Sequence, residues 1–284
     1  MEKLYLTLYK SLFTTLLITF LLIPSKTFSQ QELLKDEVSS YKIKETTATS
    51  SAKNYPDNLQ TLIDYFDKKG VNLVKYLEDP RFKFYEGISN RFINAAEYKS
   101  GNFENYKVVL GYESKKNLIA DFMGENASAL AEAEEKYGIP KYVISAIIGV
   151  ESSYGKVTGK YNPFNAYVSM YSENYRADFA KAQLEELLLW TDRNKVDVFE
   201  LKSSYAGAMA YAQFIPYSLN RWFVGNNLAD MNNNIYSVAN YLAHFKEITG
   251  SVEKAVYRYN PSQMYTDAVM ALANEAKNMA TSAK

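Results

Sequence analysis

The stretch that decides the fold is IPKYVISAIIGVESSYG, which spans residues 139–155. Pro140 suits the first position of a helix and Gly155 suits the position just past its end, so the stretch predicts a bounded helix. Elsewhere the chain has no alternation of apolar and polar residues long enough to predict a sheet, and no internal repeat. The sequence therefore predicts an all-α fold.

One face of this predicted helix is apolar until it reaches a glutamate. Ile144, Ile147 and Ile148 follow the spacing of a buried helical face, and Glu151 takes the next position on it. A carboxylate there loses hydration, which raises its pKa above the ordinary value of about 4.3. A carboxylic acid that is neutral near neutral pH can serve as a general acid. In the alternative interpretation, Glu151 lies in a fraying last turn, where it caps the helix or reaches solvent.

The composition excludes several kinds of site. The chain has 284 residues, of which 47% are hydrophobic, so it is long enough and apolar enough to bury a large core. It has no cysteine, which excludes disulfides and thiolate metal sites, and one histidine, His244, which excludes multi-histidine metal sites. A formal net charge of zero argues against a partner that is a nucleic acid. Carboxylates remain the expected source of proton chemistry, and we expect no cofactor.

The N-terminus has the pattern of an export signal over residues 1–29. Lys3 and Lys10 supply the positive end, residues 12–24 form an apolar run that is short for a membrane span, and Ser29 suits the last residue before cleavage. An uncleaved N-terminal membrane anchor is the alternative. Cleavage would leave an exported, periplasmic protein.

Polar residues 30–55 predict a flexible leader, and helical patterns follow. We expect residues 56–105 to form an N-terminal helical region of short helices and loops. The first of the longer predicted helices runs from Pro56 to Gly70, with Leu59, Leu62, Ile63 and Phe66 buried. A second runs from a Ser114 cap to Tyr137, with Gly138 as its stop. The others span Arg176 to Trp190, residues 234–249 and 251–259 on either side of Gly250, and Tyr265 to Lys284.

A second unusual stretch is SSYAGAMAYAQFIP, residues 203–216. Its small residues let the backbone approach a ligand or a neighbouring helix closely. Tyr211 and Gln213 add a stacking face and an amide to it. Small-residue packing between helices explains the pattern equally well.

Ordered blocks of sequence carry a family resemblance. They are YGIP at 137–140 with IIGVES at 147–152, AGAMAYAQFIP at 206–216, SVANY at 237–241 and RYNPS at 258–262. Over residues 106–270 the chain resembles the lytic transglycosylases of bacterial cell walls, of the membrane-bound lytic transglycosylase B type. The resemblance implies a lysozyme-like, goose-type transglycosylase domain, preceded by the N-terminal helical extension and followed by a helical tail at 271–284.

The resemblance also implies an activity and a single catalytic group. Glu151 would protonate the oxygen of the MurNAc-GlcNAc β-1,4 bond in peptidoglycan and then, as a carboxylate, take the proton of the MurNAc 6-hydroxyl. The product would be a 1,6-anhydro sugar, and the substrate's N-acetyl group would stand in for a second carboxylate. There are two alternatives. One is a muramidase that uses water, and the other is a non-catalytic glycan-binding scaffold that retains the cleft.

Residue by residue, the resemblance carries over a set of substrate-binding positions. Ser152 would orient the substrate or the carboxylate, and Arg176 would contact the acidic peptide stem, whereas Met209 and Tyr241 could equally be core residues. The full set is Ser152, Arg176, Ser204, Met209, Tyr211, Gln213, Tyr241, Tyr259 and Asn260.

The chain departs from the family pattern at several positions. Tyr154 stands where a tryptophan is usual, Tyr175 replaces the first of two arginines, and Asn165 replaces an aspartate. Residues 219–234 hold a single carboxylate, Asp230, so we expect no calcium site there. His244 is expected to be a surface or packing residue. We expect peptidoglycan glycan strands as the partner, no nucleic acid, and a monomer.

Overall fold

The computed structural model describes residues 55–97 and 101–282. The predicted export signal and all but the last residue of the predicted leader lie outside the described residues. Within the described part the chain is built of helices, and the all-α prediction is confirmed. The helices are α1 Asp57–Asp67, α2 Leu73–Leu77, α3 Ile88–Glu97, α4 Phe103–Leu110, α5 Tyr112–Glu125, α6 Ala127–Tyr137, α7 Lys141–Ser152, α8 Pro163–Ser172, α9 Ala177–Asn194, a 3₁₀ turn Val198–Glu200, α10 Pro216–Trp222, α11 Met231–Thr249, α12 Val252–Tyr259 and α13 Gln263–Ser282.

Helix α7 lies at the centre of the catalytic region that the sequence predicted. Helices α5, α6, α11 and α13 all pack against it. Ile144, Ile147 and Ile148 are completely buried among them, as their spacing predicted. Burial of one such side chain is worth about 1.5–3 kcal/mol, so this face alone fixes α7 firmly. The end of α7 that carries Glu151 is therefore held by tertiary packing and does not fray.

The end of α7 differs in detail from the prediction. The helix ends at Ser152, and Ser153 rather than Gly155 is its left-handed cap, with φ of 50°. Tyr154 and Gly155 also have positive φ. The hydroxyl of Ser152 donates to the carbonyl of Ile148 and accepts from the amide of Gly155 at 2.9 Å. These side-chain bonds add to the backbone bonds from Ser153 to Gly149 and from Tyr154 to Ile148, and the left-handed residues turn the chain just past Glu151.

The predicted helix from Ser114 to Tyr137 is wrong, because the structure has two helices there. The break lies at Asn126, whose backbone leaves the helical region and whose side-chain amide donates to the carbonyl of Phe122 at 2.8 Å. An asparagine that bonds to its own preceding turn competes with helix continuation. Ser114 is consequently inside α5 and caps nothing, whereas Gly138 does end α6, with φ of 63°.

Residues 203–216, which we call the 203–216 loop, are not helical up to Ile215. Isolated antiparallel bridges link Tyr161 to Ser203, Ser203 to Met209, and Met209 to Phe214. The interpretation of this stretch as small-residue helix packing is therefore wrong. Positive φ values at Gly207, Ala210 and Gln213 prevent a helix and fold the loop back on itself.

The predicted domain limits cross continuous helices. Residues 105 and 106 both lie in α4, and α13 continues past residue 270, so the division of the chain stays a prediction. The N-terminal helices α1 and α3 pack on α8. No helix among residues 55–97 and 101–282 has both the length and the apolar character needed to cross a bilayer.

Candidate active site

Glu151 lies in the last turn of α7 and is almost entirely buried, with 7% of its surface exposed. Its Oε1 accepts a hydrogen bond of 2.7 Å from the phenol of Tyr265, near the start of α13. Tyr265 itself is fully buried. The carboxyl group is therefore fixed in position by a partner from a helix that packs along α7.

Burial dominates the proton affinity of Glu151. It raises the pKa of this carboxyl to about 7, whereas the hydrogen bond from Tyr265 and the positive charge of Lys115 act in the opposite direction. A pKa near neutrality lets one group be protonated as an acid and then serve as a base. Glu151 is thus desolvated, as its position on the apolar face of α7 predicted.

The phenols around Glu151 stay protonated. Burial and the nearby carboxyl raise the pKa of both Tyr259 and Tyr265 well above the ordinary value of 10. Each phenol is therefore available only as a hydrogen-bond donor or acceptor at neutral pH. Tyr265 donates to Glu151, and Tyr259 donates to the carbonyl of Ala212 at 2.5 Å.

A buried lysine completes the charged groups near Glu151. Lys115 of α5 is only 6% exposed, and its Nζ lies 3.2 Å from the hydroxyl oxygen of Ser153. Burial lowers the pKa of Lys115 to about 8, although the negative charge of Glu151 opposes the shift. At neutral pH Lys115 is mostly cationic, so a positive charge lies behind the end of α7.

The 203–216 loop meets the turn after Glu151. A Cβ added to Gly155 would lie 3.4 Å from the ring of Tyr211, so the tyrosine packs on this turn. Gln213 has φ of 53°, and its amide donates to the carbonyl of Ala210 at 2.8 Å. Its Oε1 is buried without a hydrogen-bond partner among the described residues. Tyr211 and Gln213 are the predicted binding residues of this loop that remain partly exposed.

Three other predicted binding residues are used to build the protein interior. The hydroxyl of Ser204 accepts from the amides of Ala206 and Ala208, both at 3.2 Å, and Met209 is completely buried. Ser152 is also completely buried, with its hydroxyl engaged in the turn described above. These residues shape the loop and the turn, and their contacts with a ligand stay a prediction.

Tyr241 and Asn260 both adjoin Tyr259. Tyr241 is nearly buried, its ring centroid is 4.9 Å from that of Tyr259, and its phenol donates to the carbonyl of Arg258 at 2.8 Å. Asn260 follows α12 directly and is also buried. Both residues support the segment that joins α12 to α13, and therefore the approach of Tyr265 to Glu151.

Arg176 lies at the start of α9, in a left-handed conformation with φ of 48°. Its guanidinium is 4.5 Å from the ring centroid of Phe179. Tyr175 stacks on Phe92 of α3 at 4.8 Å. Tyr175 therefore belongs to the packing between the N-terminal helices and the rest of the molecule, whereas Arg176 remains exposed.

The described residues contain no group of three or more histidines or carboxylates that could hold a metal ion. Asp230 accepts from the amide of Asn233 at 2.8 Å and so caps α11. His244 packs its ring against Trp222, at 5.5 Å between centroids.

Sequence reasoning missed Tyr265 and Lys115. Lys115, Ile119 and Phe122 share one buried face of α5, so a lysine at an apolar spacing was the available signal. Tyr265 stands at the start of an amphipathic helix, and the sequence offers no sign of its contact with Glu151.

Comparison with known proteins gives a consistent set of relatives. Residues 28–252 match the family model described as the transglycosylase SLT domain. The chain is 40% identical over 128 residues to the membrane-bound lytic murein transglycosylase B of Escherichia coli (strain K12). This match covers 42% of the chain and 35% of the relative, so the chain spans about a third of the length of that protein.

Two solved structures share the fold. The soluble lytic transglycosylase SltB1 of Pseudomonas aeruginosa matches with a TM-score of 0.70 and 23% identity, over 80% of this chain and 100% of the other. The Escherichia coli lytic transglycosylase SLT35, in complex with bulgecin A, matches with a TM-score of 0.69 and 23% identity, over 78% of this chain and 93% of the other.

Proposed function

Since the chain belongs to the transglycosylase SLT domain family, we propose that it is a peptidoglycan lytic transglycosylase that cleaves the MurNAc-GlcNAc β-1,4 bond. The observation that carries this proposal is Glu151, a buried carboxyl with a pKa of about 7, held by Tyr265 beside the 203–216 loop. It supplies the single proton donor and acceptor that such a reaction needs.

In the first step, protonated Glu151 gives its proton to the glycosidic oxygen as the bond to the MurNAc C1 breaks. Burial keeps this proton on the carboxyl near neutral pH. The substrate's N-acetyl group stabilises the electron-poor C1, in place of a second carboxylate. The carboxylate that remains is stabilised by the phenol of Tyr265 and by the charge of Lys115.

In the second step, the Glu151 carboxylate takes the proton of the MurNAc 6-hydroxyl while that oxygen bonds to C1. The carboxyl is thereby restored and the sugar end becomes 1,6-anhydro-MurNAc. The reaction consumes no water. The burial of Glu151 excludes the water that would otherwise hydrolyse the sugar end.

Contacts to the glycan come from the residues around Glu151. Tyr211 offers an aromatic face of the kind on which sugars pack, and Gln213 offers a buried amide oxygen. Tyr259 donates to the carbonyl of Ala212 between these two residues, and Ser204 and Met209 fold the same loop. Tyr241 packs on Tyr259 and Asn260 follows it, and Arg176 is the proposed contact for the acidic peptide stem. The proposed enzyme acts on glycan strands in the periplasm, after export directed by residues 1–29, and works as a monomer.

The test is incubation of the purified protein with sacculi, followed by mass spectrometry of the soluble muropeptides. The proposal predicts products that end in anhydro-MurNAc. Products that end in reducing MurNAc would establish a muramidase instead. Binding to sacculi without any soluble product would establish a non-catalytic scaffold.

A further inference from the structure

Lys115 is an uncommon residue in the interior of this protein. It lies on α5 on the same face as Ile119 and Phe122, and only 6% of it is exposed. Among the described residues it forms no ion pair within 4 Å. Burying a charged amine without a close counter-charge costs free energy, so a lysine at this position needs a reason beyond packing.

Two contacts tie Lys115 to the turn that follows Glu151. Its Nζ lies 3.2 Å from Ser153 Oγ, and its backbone carbonyl accepts a 2.9 Å hydrogen bond from the phenol of Tyr154. The ring of Tyr154 packs against α7, because a Cβ at Gly149 would come within 2.5 Å of it. The amine and the backbone carbonyl of Lys115 therefore hold Ser153 and Tyr154, the first two residues of the turn after α7.

We propose that Lys115 is a positioning residue, which fixes the turn after Glu151 and supplies the buried positive charge that stabilises the Glu151 carboxylate between the two proton transfers. This inference rests on the proposed function of Glu151. A direct ion pair would lower the pKa of the carboxyl by about 1–3 units and leave it deprotonated before the reaction. A cation held at longer distance by Ser153 stabilises the carboxylate without removing the acid.

Few other titratable groups face this pair. Tyr265 on α13 donates to Glu151, and Tyr259 at the end of α12 lies close enough for the carboxyl to raise its pKa. Tyr154 follows Glu151 in the turn and donates to the carbonyl of Lys115, and burial raises its pKa, so it stays protonated. Among the described residues, α6 and α11 also pack on α7, but they contribute no group that shifts the pKa of Glu151.

The experiment is a carbon-13 NMR titration of the glutamate side chains, with Glu151 assigned from the signal that Glu151→Gln removes. In Lys115→Met the titration midpoint of Glu151 should rise by about one pH unit, because the stabilising cation is gone. Lys116→Met is the matched control, since Lys116 pairs with Glu275 at 3.0 Å and should leave the midpoint unchanged. An unchanged or lower midpoint in Lys115→Met would overturn the proposal.

If Lys115→Met does not fold, the same coupling is measured from the other partner. The amine midpoint of Lys115 should fall by about one pH unit in Glu151→Gln, relative to the wild type, and an unchanged midpoint would overturn the proposal. Neither titration requires substrate. A protein that releases no muropeptides would therefore refute the proposed function, while the titration would still decide the role of Lys115.

Activity adds a readout that a purely structural lysine would not move. Glu151 must be protonated for the first step, so its higher pKa in Lys115→Met should shift the alkaline limb of kcat/KM to higher pH. A fall in kcat/KM at every pH, with the alkaline limb unmoved, would contradict the electrostatic role.

Discussion

Helix α7 and the 203–216 loop are both short, apolar and deeply buried, yet they use burial in opposite ways. In α7 the buried isoleucines stabilise a regular helix, and the free-energy cost of burial arises at one side chain, the carboxyl of Glu151. In the loop the cost falls on the backbone, which adopts positive φ at Gly207, Ala210 and Gln213.

This difference explains which substitutions should change chemistry and which should change the fold. A side chain at the end of a rigid helix can be altered without moving the helix. A backbone held in a strained turn tolerates few substitutions at the residues that adopt positive φ. The candidate site lies where the two meet, at the contact of Tyr211 with the turn after Glu151.

The largest effect is expected for Glu151→Gln, on the α7 side. The amide keeps the shape of the side chain but cannot donate and then accept a proton at neutral pH. We expect turnover to fall by about 10²–10⁴-fold or more, since one group performs both transfers, with folding and glycan binding kept. Muropeptide release and circular dichroism measure the two outcomes. A folded variant that turns over at a rate near that of the wild type would show that Glu151 is not the acid.

On the loop side, Gly207→Ala should cost stability. Gly207 has φ of 81°, and an added Cβ would lie 2.2 Å from the ring of the fully buried Tyr167. Overpacking and backbone strain together should lower the free energy of unfolding by about 3 kcal/mol. Urea denaturation measures the loss.

The matched control for this loop variant is Gly124→Ala. Gly124 lies within α5 with open space around its Cβ position, and alanine is the better helix former by up to about 1 kcal/mol. Equal losses of stability in the two variants would contradict the expected difference between the strained loop and the regular helices.

The pH dependence of stability tests the burial of Glu151. Its pKa is about 7 in the folded protein against an ordinary 4.5, so the folded state holds a proton that the unfolded state has lost between these values. Stability from this group is therefore lost as pH rises from about 4.5 to 7. Glu151→Gln lacks this loss, and it should gain about 2.5 kcal/mol over the wild type between pH 5 and pH 8. A difference that is constant with pH would mean that Glu151 is solvated.

The smallest effect is expected for Tyr265→Phe, which separates the α7 carboxyl from its hydrogen-bond partner. The hydrogen bond lowers the pKa of Glu151, so its loss should move the alkaline limb of kcat/KM to higher pH and lower kcat by roughly tenfold. Tyr236→Phe removes a surface phenol bonded to Glu132 and should change neither value. Unaltered kinetics in Tyr265→Phe would mean that the 2.7 Å contact has no role in turnover.

The sequence predicted those features that depend on local pattern. The buried face of α7, the glycine stops after α6 and α11 and the desolvation of Glu151 all follow from the spacing of apolar residues and from the terminating glycines. The order of the sequence blocks identified the family.

Features that depend on contacts distant in sequence, or on competition between local hydrogen bonds, were not predictable. One bridge joins Ser203 of the 203–216 loop to Tyr161, 42 positions away, and Tyr265 meets Glu151 from 114 positions away. The break at Asn126 depends on one side-chain hydrogen bond that competes with the helix. Ser152 and Ser204 have the residue types of ligand contacts, but their hydroxyls bond the backbone.

The central claim is that Glu151 makes both proton transfers, first to the substrate and then from it, and that no water enters the product. Digestion of sacculi in oxygen-18-labelled water tests this most directly. The account predicts soluble products that are lighter than the hydrolysed sugar by one water and carry no label at the sugar end, and it predicts that Glu151→Gln releases none. Labelled reducing ends as the main product would contradict the account.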